Sequence, residues 1–211
     1  MPVFTLLARY VLIACLTLLV GCDSGPTFER LSAGSQVIAF GDSVTFGTGA
    51  RTGEDYPTLL ARHSGWEVVN AGVPGDTAQA ARERIHEVLQ QQEPALVIVE
   101  LGGNDFLKRR AAQAVKEDLR SILQAVKQQG AIPVLVAVPQ FSVFGASLGS
   151  LSDSPIYEEL AVEENVLLIP KVFSQVLSQN GLKADPIHPN AQGYQVLAEG
   201  MIETLTKAGL L

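Results

Sequence analysis

The sequence has few cysteines and no cluster of basic residues, and each deficit excludes a class of protein. Two cysteines among 211 residues are too few for a disulfide framework or for a zinc site made of cysteine ligands. Lysine and arginine number 15 against 22 aspartates and glutamates, so the formal net charge is −7. Because a protein that binds a nucleic-acid duplex needs a basic face, we expect no nucleic-acid partner.

Long apolar runs are also scarce, and the one that stands out lies near the N-terminus. Residues 10–20, YVLIACLTLLV, contain almost no polar side chain. This run is shorter than the roughly 20 apolar residues that span a bilayer, and it is typical of the apolar core of a secretory signal. The alternative interpretation is a buried N-terminal helix.

Hydrophobic residues make up 47% of the sequence and charged residues 18%, which is a composition that folds around a packed core.

The four residues that follow this run, LVGC at residues 19–22, resemble the cleavage site of bacterial lipoprotein signals. The resemblance implies cleavage before Cys22 and acylation of Cys22, whose lipid would hold the protein on a membrane. It divides the chain into a signal peptide (residues 1–21), a lipidated cysteine with a flexible tether (residues 22–34) and one folded domain (residues 35–211). It also implies a lipid-anchored protein of the bacterial cell envelope that faces the periplasm or the exterior.

Five short apolar segments, rich in β-branched residues, alternate with amphipathic segments in the rest of the chain. They lie at residues 36–40, 66–71, 95–101, 132–138 and 166–170. Nearly continuous apolar runs of this length are typical of strands that are buried on both faces of a parallel sheet.

The amphipathic segments between these strands predict helices. Residues 76–91 and 110–129 place their apolar side chains on one face, and a last helix begins after Asn190, which is a favourable N-cap residue. A repeated alternation of strand and helix predicts an α/β domain of three layers, in which helices cover both faces of the sheet.

Polar or glycine-rich turns follow four of the strands, and they contain the residues that acyl transfer by a serine requires. Such a reaction needs a base for the serine proton, a group that orients the base, and donors for the oxyanion. Ser43 follows the first strand, Gly75 and Asn104 follow the second and third, and Asp185 and His188 come after the fifth. Because the carboxyl ends of parallel strands meet at one edge of the sheet, these residues can share a single site.

Each of these residues also has a structural interpretation when it is considered alone. The tripeptide Gly-Asp-Ser at residues 41–43 is compatible with an ordinary polar turn. Asp185 could form a turn or cap a helix, His188 could be a surface histidine, and the side chain of Asn104 could bond to its own backbone. The spacing of Asp185 and His188 favours the functional interpretation. They are three residues apart in a segment stiffened by prolines, so a compact turn could aim the carboxylate at one imidazole nitrogen and leave the other free for Ser43.

Taken in their order along the chain, the four turns resemble those of the SGNH hydrolases, also called the GDSL family. The resemblance implies that Ser43 is the nucleophile and that its backbone N–H, the N–H of Gly75 and the side chain of Asn104 form the oxyanion hole. It further implies that His188 is the general acid and base and that Asp185 orients it. The expected fold is flavodoxin-like, with a five-stranded parallel sheet in the order 2-1-3-4-5, and neither a metal nor a cofactor is expected.

Three stretches resemble a bacterial periplasmic subgroup of this family that contains thioesterases, lysophospholipases and arylesterases. They are VVNAGVPGDT at residues 68–77, VELGGND at residues 99–105 and IHPN at residues 187–190. The implied activity is hydrolysis of a small acyl ester or thioester through an acyl-enzyme intermediate. The implied protein is a single domain, which we expect to be a monomer.

Apolar residues near these turns are candidates for an acyl groove, although they could equally be packing residues. They follow Asn104 or lie in the long loop at residues 140–153: Phe106, Leu107, Phe141, Val143 and Phe144. An apolar rim would favour medium-length acyl chains. The alternative enzyme is a carbohydrate O-acetylesterase that acts on glycan of the cell envelope. A different class altogether is a non-catalytic lipoprotein that binds a partner in the envelope.

Overall fold

A sheet of five parallel strands forms the centre of the computed structural model, which describes residues 28–140 and 150–211. The strands are β1 (Gln36–Gly41), β2 (Glu67–Gly72), β3 (Leu96–Glu100), β4 (Ile132–Val136) and β5 (Leu167–Ile169). Their order in the sheet is β2-β1-β3-β4-β5. The parallel sheet was predicted from the apolar runs, and its strand order was implied by the resemblance to the SGNH hydrolases; both are confirmed.

The burial of the strands agrees with their composition. All five residues of β3 are buried, and in β1 only Gln36 at the start of the strand is partly exposed. β2 lies at one edge of the sheet and is partly exposed along its length. β1 and β3, which lie inside the sheet, therefore need apolar side chains on both faces. This explains why their sequences do not alternate between polar and apolar residues.

Helices occupy the intervals between the strands. They are α1 (Ser43–Phe46), α2 (Tyr56–Ser64), α3 (Ala78–Gln92), α4 (Gly103–Leu107), α5 (Ala112–Gln128), α6 (Pro155–Glu164), α7 (Val172–Ser178) and α8 (Ala191–Lys207). A short 3₁₀ turn spans Asn180–Leu182.

The longer helices form two groups that cover the two faces of the sheet. In one group α5 contacts both α3 and α6, and in the other α8 contacts both α2 and α7. The three-layer α/β/α architecture that the sequence predicted is confirmed. Apolar side chains from both groups and from the sheet form one continuous buried core.

The helices that the sequence predicted begin and end close to the expected residues. The segment at 76–91 is α3, and that at 110–129 is α5. The last helix, α8, follows Asn190, whose side chain accepts a hydrogen bond from the N–H of Gly193 at 2.9 Å. The predicted N-cap is therefore confirmed.

The described end of the predicted tether contacts the C-terminus of the chain. The N–H of Phe28 donates to the carbonyl of Ala208 at 3.2 Å, and the N–H of Leu31 donates to the carbonyl of Leu210 at 3.1 Å. Phe28 and Leu31, which lie within the predicted tether, are therefore hydrogen-bonded to the C-terminal end of the folded domain. The predicted signal peptide and Cys22 lie outside the described residues.

Strands β1 and β2 end in paired glycines, and Gly72 lets the backbone of the Ser43 turn approach β2 closely. A Cβ atom on Gly72 would lie 2.3 Å from the nitrogen of Phe46 and 2.8 Å from the carbonyl oxygen of Asp42. Real Cβ atoms do not approach backbone atoms so closely, so any side chain at this position must displace the turn that carries Ser43.

Replacement of Gly72 by alanine should therefore lower the free energy of unfolding by about 1–3 kcal/mol, which is typical of overpacking. Urea unfolding of the parent and the variant measures this. Gly181→Ala is the matched control, because a Cβ there meets no heavy atom within 4 Å. The control should stay within about 0.5 kcal/mol of the parent. If both variants are equally stable, the close packing of the turn against Gly72 is wrong.

Candidate active site

Ser43 lies on a short, well-fixed turn at the carboxyl end of β1. It is the first residue of α1, and the carboxylate of Asp42 caps this helix by accepting a hydrogen bond from the N–H of Val44 at 3.0 Å. The helix ends at Gly47, whose left-handed conformation (φ 99°) allows its N–H to bond back to the carbonyls of Ser43 and Val44. The carbonyl of Ser43 and the residues on both sides of it are thus held by hydrogen bonds, and the hydroxyl of Ser43 is left to interact with other groups.

His188 and Asp185 meet Ser43 across the edge of the sheet. The Oγ atom of Ser43 lies 2.8 Å from Nε2 of His188, and Nδ1 of His188 lies 2.7 Å from Oδ2 of Asp185. The other carboxylate oxygen of Asp185 accepts the backbone N–H groups of Ile187 and His188, both at 2.9 Å. Residues that are 145 positions apart in sequence therefore form one continuous chain of hydrogen bonds.

The ionisation of Asp185 fixes the direction of these hydrogen bonds. Burial alone would raise its pKa, but the hydrogen bonds from the His188 ring and from the N–H groups of Ile187 and His188 outweigh burial and hold the pKa of Asp185 below its usual value. An ionised carboxylate only accepts, so Nδ1 of His188 carries the hydrogen and Nε2 can accept the hydroxyl proton of Ser43. This arrangement can activate the serine.

Two backbone N–H groups near Ser43 are available as donors. Neither the N–H of Ser43 nor that of Gly75 donates a hydrogen bond to an acceptor in residues 28–140 or 150–211. Gly75 adopts a left-handed conformation with φ at 88°, which is unfavourable for a side chain. Its turn is closed by a bond of 3.1 Å from the N–H of Asp76 to the carbonyl of Val73.

The side-chain amide of Asn104 joins the turns that follow the first three strands. Its Nδ2 atom donates to Oδ2 of Asp42 at 3.0 Å and to the carbonyl oxygen of Asp76 at 2.9 Å. Both partners are acceptors, so the amide nitrogen, and not its oxygen, must face them. The sequence predicted the position of Asn104 at this edge but not this double contact.

Two buried acids lie beneath this group of residues. Burial raises the pKa of Asp42 to about 6, even though the N–H of Val44 and the amide of Asn104 stabilise its charged form. Glu100, at the end of β3, is 1% exposed, and burial together with the negative charge of Asp42 raises its pKa well above the usual value. Only one oxygen of Glu100 has a partner within the described chain, the hydroxyl of Thr45 at 3.1 Å.

A small cleft opens beside Ser43 and His188, with an internal volume of about 20 Å³. This is little more than the space of one water molecule, so the described walls leave little room beside the reacting groups. The other residues that line the cleft are Asp42, Val44, Glu100, Gly103, Asn104, Leu107, Phe173 and Ile187.

The predicted substrate-binding residues have different positions in the structure. Leu107 lines the cleft and is 47% exposed. Phe106 is partly buried and its ring packs edge-on against Tyr157, with centroids 6.5 Å apart. The remaining three, Phe141, Val143 and Phe144, lie outside the described residues.

Three apolar residues that line the cleft, Val44, Phe173 and Ile187, were not predicted as substrate-binding residues. Phe173 comes from α7, a helix of seven residues that was not predicted. Ile187 lies directly before His188, so its position in the motif was the only available signal. No group of three or more histidine, cysteine, aspartate or glutamate side chains within the described residues is arranged to hold a metal ion.

The fold and the comparison with known families define the class of this protein. Residues 39–196 match the GDSL-like Lipase/Acylhydrolase family, and the sheet order and the turns described above agree with that match. The chain belongs to this family, and it is a carboxylic ester hydrolase of the SGNH type.

Individual relatives narrow the comparison. The chain is 34% identical over 181 residues to thioesterase 1/protease 1/lysophospholipase L1 of Escherichia coli K12, which covers 83% of this chain and 86% of that protein. It is 29% identical over 194 residues to esterase TesA of Pseudomonas aeruginosa PAO1, which covers 89% and 96%. A crystal structure of TesA is similar with a TM-score of 0.74 at 28% identity, over 82% of this chain and 99% of that one.

As for the membrane, no helix within residues 28–140 and 150–211 is both long and apolar enough to cross a bilayer.

The buried position of Glu100 should make stability depend on pH. The folded state keeps the proton of Glu100 at pH values where the unfolded chain has lost it, so the folded state binds more protons and stability falls as pH rises above about 4.5. Glu100→Gln removes this contribution, because glutamine does not ionise.

In the parent, the free energy of unfolding should fall between about pH 4 and about pH 8. We expect this fall to be smaller in Glu100→Gln, because the variant lacks the ionisable group. Urea unfolding at both pH values gives the two differences. The comparison is made between pH values within each protein, so any constant cost of the added amide cancels. Identical differences in parent and variant would contradict the raised pKa of Glu100.

Proposed function

We propose that this protein is a serine esterase or thioesterase in which Ser43 is the nucleophile, His188 the general acid and base, and Asp185 the orienting carboxylate. The observation that carries the proposal is the 2.8 Å contact between Oγ of Ser43 and Nε2 of His188, continued by the 2.7 Å contact of His188 with Asp185. A base within hydrogen-bond reach of a fixed hydroxyl is the geometry that nucleophilic catalysis requires.

The proposed reaction has two halves. Oγ of Ser43 attacks the carbonyl carbon of the ester or thioester while Nε2 of His188 takes the hydroxyl proton. The tetrahedral intermediate collapses, the bond to the alcohol or thiol breaks, and the leaving group takes the proton from His188. Water then attacks the acyl-serine with the same help from His188, which releases the carboxylic acid and restores the Ser43 hydroxyl.

The oxyanion of each tetrahedral intermediate would lie between three donors. The N–H groups of Ser43 and Gly75 have no acceptor within the described chain, so they can donate to the oxyanion at no cost in existing bonds. The amide of Asn104 already donates to Asp42 and to the carbonyl of Asp76. One of its N–H groups must therefore donate to the oxyanion as well as to its present acceptor, or exchange that acceptor for the oxyanion.

The substrate class follows from the walls of the cleft and from the relatives. Leu107, Phe173 and Ile187 supply an apolar lining beside Ser43. Such a lining favours a substrate with an apolar acyl chain over one with a charged group at this position. The names of the relatives include thioesterase, lysophospholipase and esterase. The second candidate is an O-acetylesterase of envelope glycan, which is favoured by the small volume of the cleft, about 20 Å³.

Substitution of Ser43 by alanine should reduce hydrolysis of p-nitrophenyl esters by at least about 1,000-fold and abolish labelling by a fluorophosphonate probe. Asn104→Ala should lower kcat by about 100- to 1,000-fold, which is typical for the loss of one oxyanion donor. Ser121→Ala, on the outer side of α5, is the control and should behave as the parent.

Parental activity or labelling in Ser43→Ala would reject the proposed mechanism, and a parent that is never labelled would favour the non-catalytic binding protein. The same assay separates the two enzymatic candidates when the substrates are acyl thioesters and esters of increasing chain length beside an acetylated glycan. Activity that rises with chain length supports the acyl esterase. Activity confined to the acetylated glycan supports the O-acetylesterase.

We also propose that the mature protein is held on the membrane by a lipid on Cys22. Support comes from the sequence LVGC at residues 19–22 and from the apolar run before it. The chain has only two cysteines, and Cys15 lies inside the predicted signal peptide. The mature protein would therefore have one cysteine, and that cysteine would be modified.

In Cys22→Ser the protein should lose metabolic labelling by a palmitate analogue and should move from the membrane fraction to the soluble fraction. Cys15→Ser is the matched control and should change neither result, because this residue leaves with the signal peptide. Labelling that persists in Cys22→Ser, or that is lost in Cys15→Ser, would show that the site of acylation is wrong.

A further inference from the structure

Arg84 contacts both of the turns that carry the candidate oxyanion hole. Its Nε atom donates to Oδ2 of Asp76 at 2.7 Å, and its Nη2 atom donates to the carbonyl oxygen of Gly41 at 3.0 Å. Its guanidinium carbon lies 4.1 Å from the centre of the Phe40 ring. The side chain is 22% exposed, so these contacts are only partly open to solvent.

The first of these turns carries Ser43. Gly41 is the last residue of β1, and its carbonyl oxygen also accepts the N–H of Val73 at 3.0 Å. This one oxygen therefore joins the end of β1, the end of β2 and the guanidinium of Arg84. A shift of Gly41 would move Ser43, which follows it by two residues.

The second turn carries Gly75. Asp76 follows it directly, and the carbonyl oxygen of Asp76 accepts the amide of Asn104 at 2.9 Å. The position of Asp76 thus affects two of the three donors at once, the N–H of Gly75 and the side chain of Asn104. Arg84 holds Asp76 by its carboxylate, whereas Asn104 contacts its backbone carbonyl.

We propose that Arg84 is a positioning residue for the oxyanion hole. It fixes the distance between the turn that carries Ser43 and the turn that carries Gly75. This inference rests on the function proposed above. The guanidinium suits the role because its donors are fixed in one rigid plane, so a bond to one turn determines where the other bond can form. A lysine ammonium has the same charge but cannot span both acceptors in a fixed geometry.

A residue with this role should affect the transition state more than the bound substrate. The oxyanion exists only after attack by the serine, so displaced donors lower kcat and leave KM nearly unchanged. Misplacement of catalytic groups by about 1 Å can cost about 100-fold in rate. We therefore expect kcat to fall by about 10- to 100-fold when the guanidinium is removed.

The test compares Arg84→Met and Arg84→Lys with Arg120→Met. Arg120 is a matched control, because its side chain is 23% exposed and pairs with three glutamates, Glu117, Glu163 and Glu164, away from the site. We expect both Arg84 variants to lose kcat at nearly constant KM. A boronic acid that forms a tetrahedral adduct with the serine should bind more weakly by a similar factor. The Arg120 variant should keep kcat within about twofold of the parent.

Parental kcat and boronic acid affinity in Arg84→Lys would overturn the proposal, because the charge alone would then be sufficient. The proposal is also overturned if Arg84→Met has unchanged kcat and is merely less stable to urea, because that result would indicate a purely structural role. If Arg84→Met does not fold, Arg84→Lys decides the question, since it keeps the charge and the aliphatic stem over Phe40. Ser43→Ala is assayed in parallel, so that an active Ser43→Ala identifies a failure of the proposed function itself.

Discussion

The structure of the site depends on the two hydrogen bonds donated by the amide of Asn104. One goes to Asp42, beside the candidate nucleophile, and the other to the carbonyl of Asp76, beside Gly75. Because Asn104 itself follows β3, a single side chain connects the carboxyl ends of three strands that are distant in sequence. The proposed donors are preorganised by this connection, and preorganised donors cost no rearrangement when charge develops. In the proposed mechanism the same amide would also donate one hydrogen to the oxyanion, which would add a chemical function to this structural one.

The close approach that this connection requires explains the glycines at the strand ends. Gly41 and Gly72 form the last pair between β1 and β2. At Gly41 an added Cβ would lie 2.1 Å from Oγ1 of Thr45, and at Gly72 it would meet the backbone of the Ser43 turn. Thr45 in turn donates to Glu100 at 3.1 Å, so the first turn reaches the end of β3 as well as the end of β2. A larger residue at either glycine would separate the turns that Asn104 joins.

Much of this arrangement could be predicted from the sequence, and the remainder depends on contacts that have no sequence pattern. The strands were predictable because burial on both faces of β1 and β3 requires continuous apolar runs, and the candidate site because Ser43, Asn104 and His188 follow strands in a known order. Helix α1 has four residues and α7 has seven, too short to show a helical period. The roles of Asp42 and Arg84 could not be predicted, because each depends on a partner that only the folded chain brings near.

The acids around the site have separate tasks because their surroundings differ. Asp185 is 44% exposed and accepts two backbone N–H groups as well as the His188 ring, so it remains ionised and can orient the histidine. Glu100 is completely enclosed, and its raised pKa favours the neutral form, which spares the site a second negative charge next to Asp42. The charge of Asp76 is balanced by Arg84 at 2.7 Å. In the proposed mechanism, an oxyanion between Ser43 and Gly75 would therefore form among donors, with Glu100 neutral and the charge of Asp76 balanced. This is the electrostatic condition that ester hydrolysis by a serine requires.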